Sequence, residues 1–327
     1  MTHFFTYLQS QQTARDYLHS CYQQLDGVDA AIKSFENGHK FMHYLEHGIR
    51  FYENGKQMET LMQPMLFFYG MVHLLKAALL TIRPNYPEST AILAHGVSSR
   101  KRKKKDYTFM DDEVKIQYNG LFPYVSEHLF SIGRTPFEKI KMEQLFSLIP
   151  EMDSMFKFHH MEKMIKVGNI GATRLQFPTF VLDNFYLTAK AFIKRIKPYL
   201  PPVSQTEATA ASLHVALEAP FNPVHNSPFF IDTYDRAGYF PVQRGNFLPI
   251  SEIMIHYLLL YNLSMLCRYE TEWWGDLLAA KPDKEYPFIK HFLTITAEKI
   301  PYLLGKYMLQ MNYESNNPLQ KVVQKSL

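Results

Sequence analysis

Apolar positions recur at helical spacing over much of the chain. Ala14, Tyr17, Leu18, Cys21 and Leu25 fall three or four residues apart, which predicts a helix over 13–25. After Gly27-Val28-Asp29 a second helical stretch starts near Ala30, with a break expected at Asn37-Gly38. A third covers 39–52 and stops at Asn54-Gly55. Two runs, 65–82 and 250–267, are apolar on most sides and predict buried core helices. Pro64 opens the first of them, where its missing N–H costs nothing. Glu88-Ser89-Thr90 starts a short helix reaching Ala94-His95-Gly96. Thr135-Pro136-Phe137-Glu138 has the form of a capping box and predicts a helix from there. A last helix is expected over 286–311.

The pattern changes between 165 and 249, where nine prolines cluster and alternation replaces helical spacing. Ser212 to Glu218 alternates apolar and polar, as a half-buried strand does. Phe229 to Tyr234 and Tyr239 to Val242 flank Asp235-Arg236-Ala237-Gly238 and read as a hairpin. The expected fold class is mainly α (α+β), a helical bundle with a small β-containing insertion. Its parts are an N-terminal helical part at 1–164 and a Pro-rich segment with short strands at 165–249. Helices at 250–312 would pack back on the first set, and a loose tail would occupy 313–327.

Composition narrows the function classes. Hydrophobic content of 46% fills a core without staples, and Cys21 and Cys267 are too few and too distant for a disulfide framework or a zinc motif. The N-terminal residues lack a signal-peptide pattern, so a cytoplasmic location is expected. Lys76 interrupts one apolar run and Glu252 and His256 the other, so no membrane span is expected. Exposed aromatics make a homo-oligomer plausible. Net charge is +4, but Arg100, Lys101, Arg102, Lys103, Lys104 and Lys105 form one cationic run, and without those six charges +4 becomes −2. The positive charge is local, which points to a local anionic contact.

Two stretches carry a family resemblance. Phe67-Phe68-Tyr69-Gly70-Met71-Val72-His73-Leu74-Leu75-Lys76-Ala77-Ala78-Leu79-Leu80, followed by Ala94-His95-Gly96-Val97, resembles the bacterial YaaC-like family. So does Leu263-Ser264-Met265-Leu266-Cys267-Arg268-Tyr269 with Trp273 after it. The resemblance covers nearly the whole chain. The family has no settled activity to carry over. Its members in spore-forming Gram-positive bacteria tend to be encoded beside IMP dehydrogenase, which implies a purine context and that enzyme as a partner. A more distant resemblance is to HEPN domains, through Tyr69, Val72, His73, Lys76 and Ala77. This resemblance implies a HEPN-like helical bundle, and many HEPN domains are ribonucleases with an Arg-x(4–6)-His motif. Here that motif is incomplete: no His follows Arg268 within reach, and Arg83 lies twelve positions before His95.

The candidate sites follow from these readings. Six adjacent cations cannot all be buried, so the run 100–105 binds an anion or is a solvated loop neutralised by Asp111, Asp112 and Glu113. Phosphate, RNA, a nucleotide or an acidic protein surface would each match it. His39, His43 and His47 share a helix face at a spacing that can hold zinc, yet no acid completes a ligand set, and no metal is expected. Arg268-Tyr269 with Trp273 forms either a helix-terminus lock or a pocket for a planar anion. Arg83 and His95 join them as pocket candidates. No Gly-x-Ser-x-Gly, phosphate-cradling loop or dinucleotide fingerprint is present, so no catalytic residue and no cofactor are expected. Cys267, at the end of an apolar helix, is expected to be inert. The expected function is noncatalytic binding or regulation through the basic run, with a degenerate HEPN-type ribonuclease or a purine-enzyme accessory protein as alternatives.

Overall fold

In the computed structural model, residues 2–99, 107–223 and 225–316 are described. The cationic run at 100–105 lies outside them.

Helices α1 (Thr2–Tyr7), α2 (Gln11–Tyr22), α3 (Ala30–Gln57) and α4 (Gln63–Leu80) open the chain. The hydroxyl of Ser10 accepts from the Thr13 N–H and starts α2, and the Asp29 carboxylate accepts from the Ile32 N–H and starts α3. The expected break at Asn37-Gly38 does not occur, and α3 runs through it. Asn37 is instead a contact residue, donating to the Tyr22 hydroxyl at 3.1 Å and the Pro84 carbonyl at 2.8 Å. Gly38 lies where α2 crosses: a Cβ there would stand 2.6 Å from Cγ of Arg15. Close packing, which a local pattern cannot show, outweighs the low helix propensity of both residues.

Helix α4 is long and apolar enough to cross a membrane, and 67% of it is buried inside the protein, against α3, α10 (Glu252–Tyr269) and α12 (Glu285–Asn316). One core holds side chains from α1 to α4 together with those of α10, α12 and α11 (Thr271–Ala280). Each large apolar side chain fully buried there contributes about 1.5–3 kcal/mol. Trp274 of α11 is sealed in this core and donates to the Leu61 carbonyl at 3.1 Å, fixing α11 across the α3–α4 turn. Helix α12 continues to Asn316, past the point where a loose tail was expected.

Between these helix sets lies a three-stranded antiparallel sheet: β1 (Val97–Ser99), β2 (Glu113–Ile116) and β3 (Lys139–Lys141). Helix α5 (Leu121–Phe130) connects β2 to β3. The helix expected from Thr135 is not formed. The segment stays extended because the Ile116 N–H bonds the Glu138 carbonyl and Val114 pairs with Ile140, so helix waits until α6 (Met142–Phe146). The Thr135 hydroxyl donates to the Phe137 carbonyl rather than capping. The helix expected after Glu88 is a single 3-10 turn, Thr90–Leu93.

After α7 (Asp153–Lys157) come β4 (Met164–Asn169), β5 (Arg174–Pro178), α8 (Thr179–Phe185), α9 (Ala189–Ile196), β6 (Val203–Ala208), β7 (Ser212–Leu217), β8 (Phe230–Asp232) and β9 (Ala237–Pro241). The strands form two antiparallel sheets, ordered β4-β9-β8 and β5-β7-β6. The strand read at Ser212 and the hairpin read at 229–242 are β7 and the β8–β9 pair. This region has a second core, in which Phe177, Phe185, Phe192 and Phe229 surround Phe240 at ring distances of 5.1–5.7 Å. The described residues are mainly helical, with small sheets.

A candidate anion-binding face

On α3, Lys40, Tyr44, His47 and Phe51 fall at i, i+4, i+7 and i+11, one face of the helix. On α4, Tyr69, His73 and Lys76 repeat the spacing and lie beside them. The His73 ring stacks on Phe51 at 5.7 Å, lies 5.5 Å from His47 and 5.9 Å from Tyr44. The Lys76 ammonium lies 5.6 Å from the Tyr44 ring, and Lys40 donates to the Tyr86 carbonyl and sits against its ring.

The C-terminal end of α10 and the loop before β1 close one end of this face. Arg268 donates to the Tyr69 hydroxyl at 2.9 Å and to the Ser264 carbonyl at 3.0 Å. Its guanidinium lies 5.6 Å from the Tyr69 ring and 5.1 Å from that of the exposed Tyr269. His95 packs among Phe68 at 5.1 Å, Tyr261 at 5.7 Å and Tyr69 at 6.3 Å. Its carbonyl accepts from the Tyr257 hydroxyl and from the Phe122 N–H. Two glycines make that loop possible. Gly96 (φ +78) and Gly120 (φ +125) touch, and a Cβ on Gly120 would stand 2.4 Å from the Gly96 Cα.

Charge is unbalanced across this face. Among the described residues, none of Lys40, Lys76 and Arg268 forms an ion pair with a carboxylate. Burial lowers the pKa of Lys76, and burial and then Lys76 lower that of Lys40. His95 is lowered by burial, then by Arg268 and Lys76. His73 is pushed down to about 4, first by burial and then by Lys76 and His47. Lys76 thus disfavours the charge on Lys40, and Lys76 and Arg268 disfavour protonation of the imidazoles beside them; an arriving anion would relieve both effects.

The sequence-derived candidates divide accordingly. His95 and Arg268 meet around the Tyr69 ring, with Tyr269 beside Arg268. Arg83 is engaged elsewhere, with Glu88 at 2.8 Å and the Tyr124 hydroxyl at 3.0 Å. Trp273 packs edge-on against Tyr107 at 4.9 Å. Of the acids expected to neutralise the cationic run, Asp111 pairs with Lys141 at 2.9 Å, and Asp112 is buried and accepts from Asn262. His39 meets Gln11, His43 stacks on His39, and His47 leans toward His73. Among the described residues no group of three or more His, Cys, Asp or Glu side chains could hold a metal ion. Burial pushes the Cys267 thiol up to about 11, unsuited to a nucleophile. Lys40, Tyr44 and Phe51 did not stand out in the sequence; their signal is the alternating four- and three-residue spacing on α3, matched by that of Tyr69, His73 and Lys76 on α4.

Fold and face together define a mainly helical protein with a β-rich segment and a cation-and-ring surface without paired carboxylates among the described residues. The chain belongs to the family described as YaaC-like protein, whose model matches residues 6–308. Searches of curated proteins and of solved structures gave no match.

Proposed function

We propose that this protein is a noncatalytic binding protein whose α3–α4 face, with Arg268 and His95, takes an anionic partner carrying flat rings, of which single-stranded RNA is the leading case. The observation that supports this reading is the set Lys40, Lys76 and Arg268, half-buried among aromatic rings and, among the described residues, with no carboxylate paired to any of them. Phosphates would satisfy the cations, and bases would stack on rings such as Phe51 and Tyr69. An acidic protein surface would satisfy the charge and leave the rings unused. The cationic run at 100–105 follows directly on β1, whose loop carries His95, and extends the positive charge along the sequence.

A second reading is a HEPN-type ribonuclease with a degenerate site. It is favoured by one observation: His95 and Arg268 come together in space although no sequence motif joins them. Burial, then Arg268 and Lys76, lower the pKa of His95, which favours the neutral imidazole that a general base requires. This reading expects RNA cleavage by pure protein, lost in His95→Ala; intact RNA after prolonged incubation contradicts it.

The test of the leading reading is a pull-down from lysate at low and moderate salt. Wild type is compared with Arg268→Gln/Lys76→Met and with all six residues of 100–105 changed to Ser. RNA retained by wild type and lost with either variant and with salt supports the proposal. A single metabolic enzyme retained by all three proteins, without RNA, contradicts it and favours an accessory role.

A further inference from the structure

A second charged cluster, at the junction of the two cores, has the opposite design. Lys299 of α12 is 1% exposed, and its ammonium meets two carboxylates, Glu151 at 2.5 Å and Glu252 at the start of α10. The same carboxylates face the β8–β9 hairpin. Oε1 of Glu151 accepts from the Thr233 N–H and hydroxyl, each at 3.1 Å, and Oε2 of Glu252 accepts from the Ile231 N–H at 3.3 Å. Alongside, Asp153 accepts from the Lys163 and Met164 N–H groups at 2.8 and 3.0 Å, where β4 begins. Phe230 of β8 sits in the helical core while its neighbour Phe229 sits in the second one. The sheet β4-β9-β8 thus hangs from carboxylates on the bundle, and one lysine holds two of them in place.

We infer that Lys299, Glu151 and Glu252 form a buried latch that keeps the β8–β9 hairpin docked on the helical bundle and lets it open as a unit when the charge balance changes. One cation faces two carboxylates, so the knot carries a buried excess of negative charge whenever all three are ionised, and such an excess is costly. The surroundings give little relief. Asp232 of β8 stands near Glu151, and its pKa is raised, chiefly by burial. His256 of α10 is held neutral by burial and by Lys299, and its Nδ1 is engaged with Thr296 at 2.9 Å. His291 of α12 bonds the Glu151 carbonyl rather than its carboxylate. Glu252 is the group with room to relax: burial pushes it up to about 7, against the pull of Lys299. A carboxylate raised in the docked state favours docking at low pH, and that advantage is lost as pH rises through its docked value. The latch is therefore tighter at pH 5 than at pH 8.

Hydrogen exchange of the full chain tests this at the Ile231 and Thr233 amides, with α4 amides as the reference. After correction for intrinsic rates, opening at the two β8-side amides should rise at least about tenfold relative to α4 between about pH 5 and pH 8. Lys299→Met should open them further than wild type, most at pH 8, while α4 stays protected. Replacing the whole knot, Glu151→Gln/Glu252→Gln/Lys299→Met, should abolish the pH dependence. Opening that is independent of pH in wild type, or that changes equally in α4 and β8, overturns the latch. Should Lys299→Met fail to fold, the wild-type pH series and the triple variant still decide the matter.

Discussion

The two charged clusters use the same residue types to opposite ends. On the α3–α4 face, Lys40, Lys76 and Arg268 are half-buried among rings and meet hydroxyls, carbonyls and π-faces, with no paired carboxylate among the described residues. In the knot at the junction of the cores, Lys299 is sealed from solvent and meets two carboxylates whose remaining oxygens bond backbone N–H groups. A cation whose partners are all supplied from within does structural work. Half-exposed cations that no described carboxylate pairs are left with capacity for an external anion. Charge balance, more than residue type, separates the two roles.

The largest expected effect sharpens this contrast directly. Lys299→Ala leaves two buried carboxylates without a cation and should cost about 3–5 kcal/mol in denaturant unfolding. Arg268→Gln and Lys76→Met remove cations that repel their neighbours, and each should change stability by less than about 1 kcal/mol. A Lys76→Met variant as damaged as Lys299→Ala would erase the distinction. Next in size is Gly120→Ala. The φ of +125 and the contact with Gly96 should make it cost about 3 kcal/mol, and the displaced His95 loop should weaken RNA binding as well.

The comparison was only partly legible beforehand. Both apolar helices could be read because their pattern is dense enough to survive any partner, and β7 and the β8–β9 hairpin because alternation and turn residues are local signals. Asn37-Gly38 misled for the same reason: a local signal reads a glycine as a break, whereas the crossing of α2 makes it a contact. Thr135 misled because the pairing of Val114 with Ile140 lies outside any short window. Arg268 and His95 stood out singly. Their meeting around Tyr69, and the grouping of Lys40 and Lys76 among rings rather than described carboxylates, exist only once α3, α4 and α10 are packed. Glu252 and Lys299 are 47 positions apart, and no spacing rule joins them.

A smaller effect probes the imidazoles of the open face. His73 and His95 titrate below their ordinary value when folded, so the stability they contribute is present above about pH 6.5 and is lost as pH falls toward their folded values, about 4 for His73. A bound phosphate ligand should oppose that loss, so RNA affinity should rise as pH is lowered from about 7 to 5.5, with proton uptake in calorimetry. The smallest expected effect is Phe51→Ala, which removes one stacking surface and should weaken RNA binding by about 1–2 kcal/mol with little change in its salt dependence.

The most direct test of the face is fluorescence anisotropy of a labelled single-stranded oligoribonucleotide, at about 50 and about 200 mM salt, with wild type and Arg268→Gln/Lys76→Met. The account predicts salt-sensitive binding by wild type and a loss of at least about tenfold in the double variant, whose unfolding midpoint stays within a few degrees of wild type. Equal binding by the two proteins, or no binding by wild type at the lower salt, would contradict it.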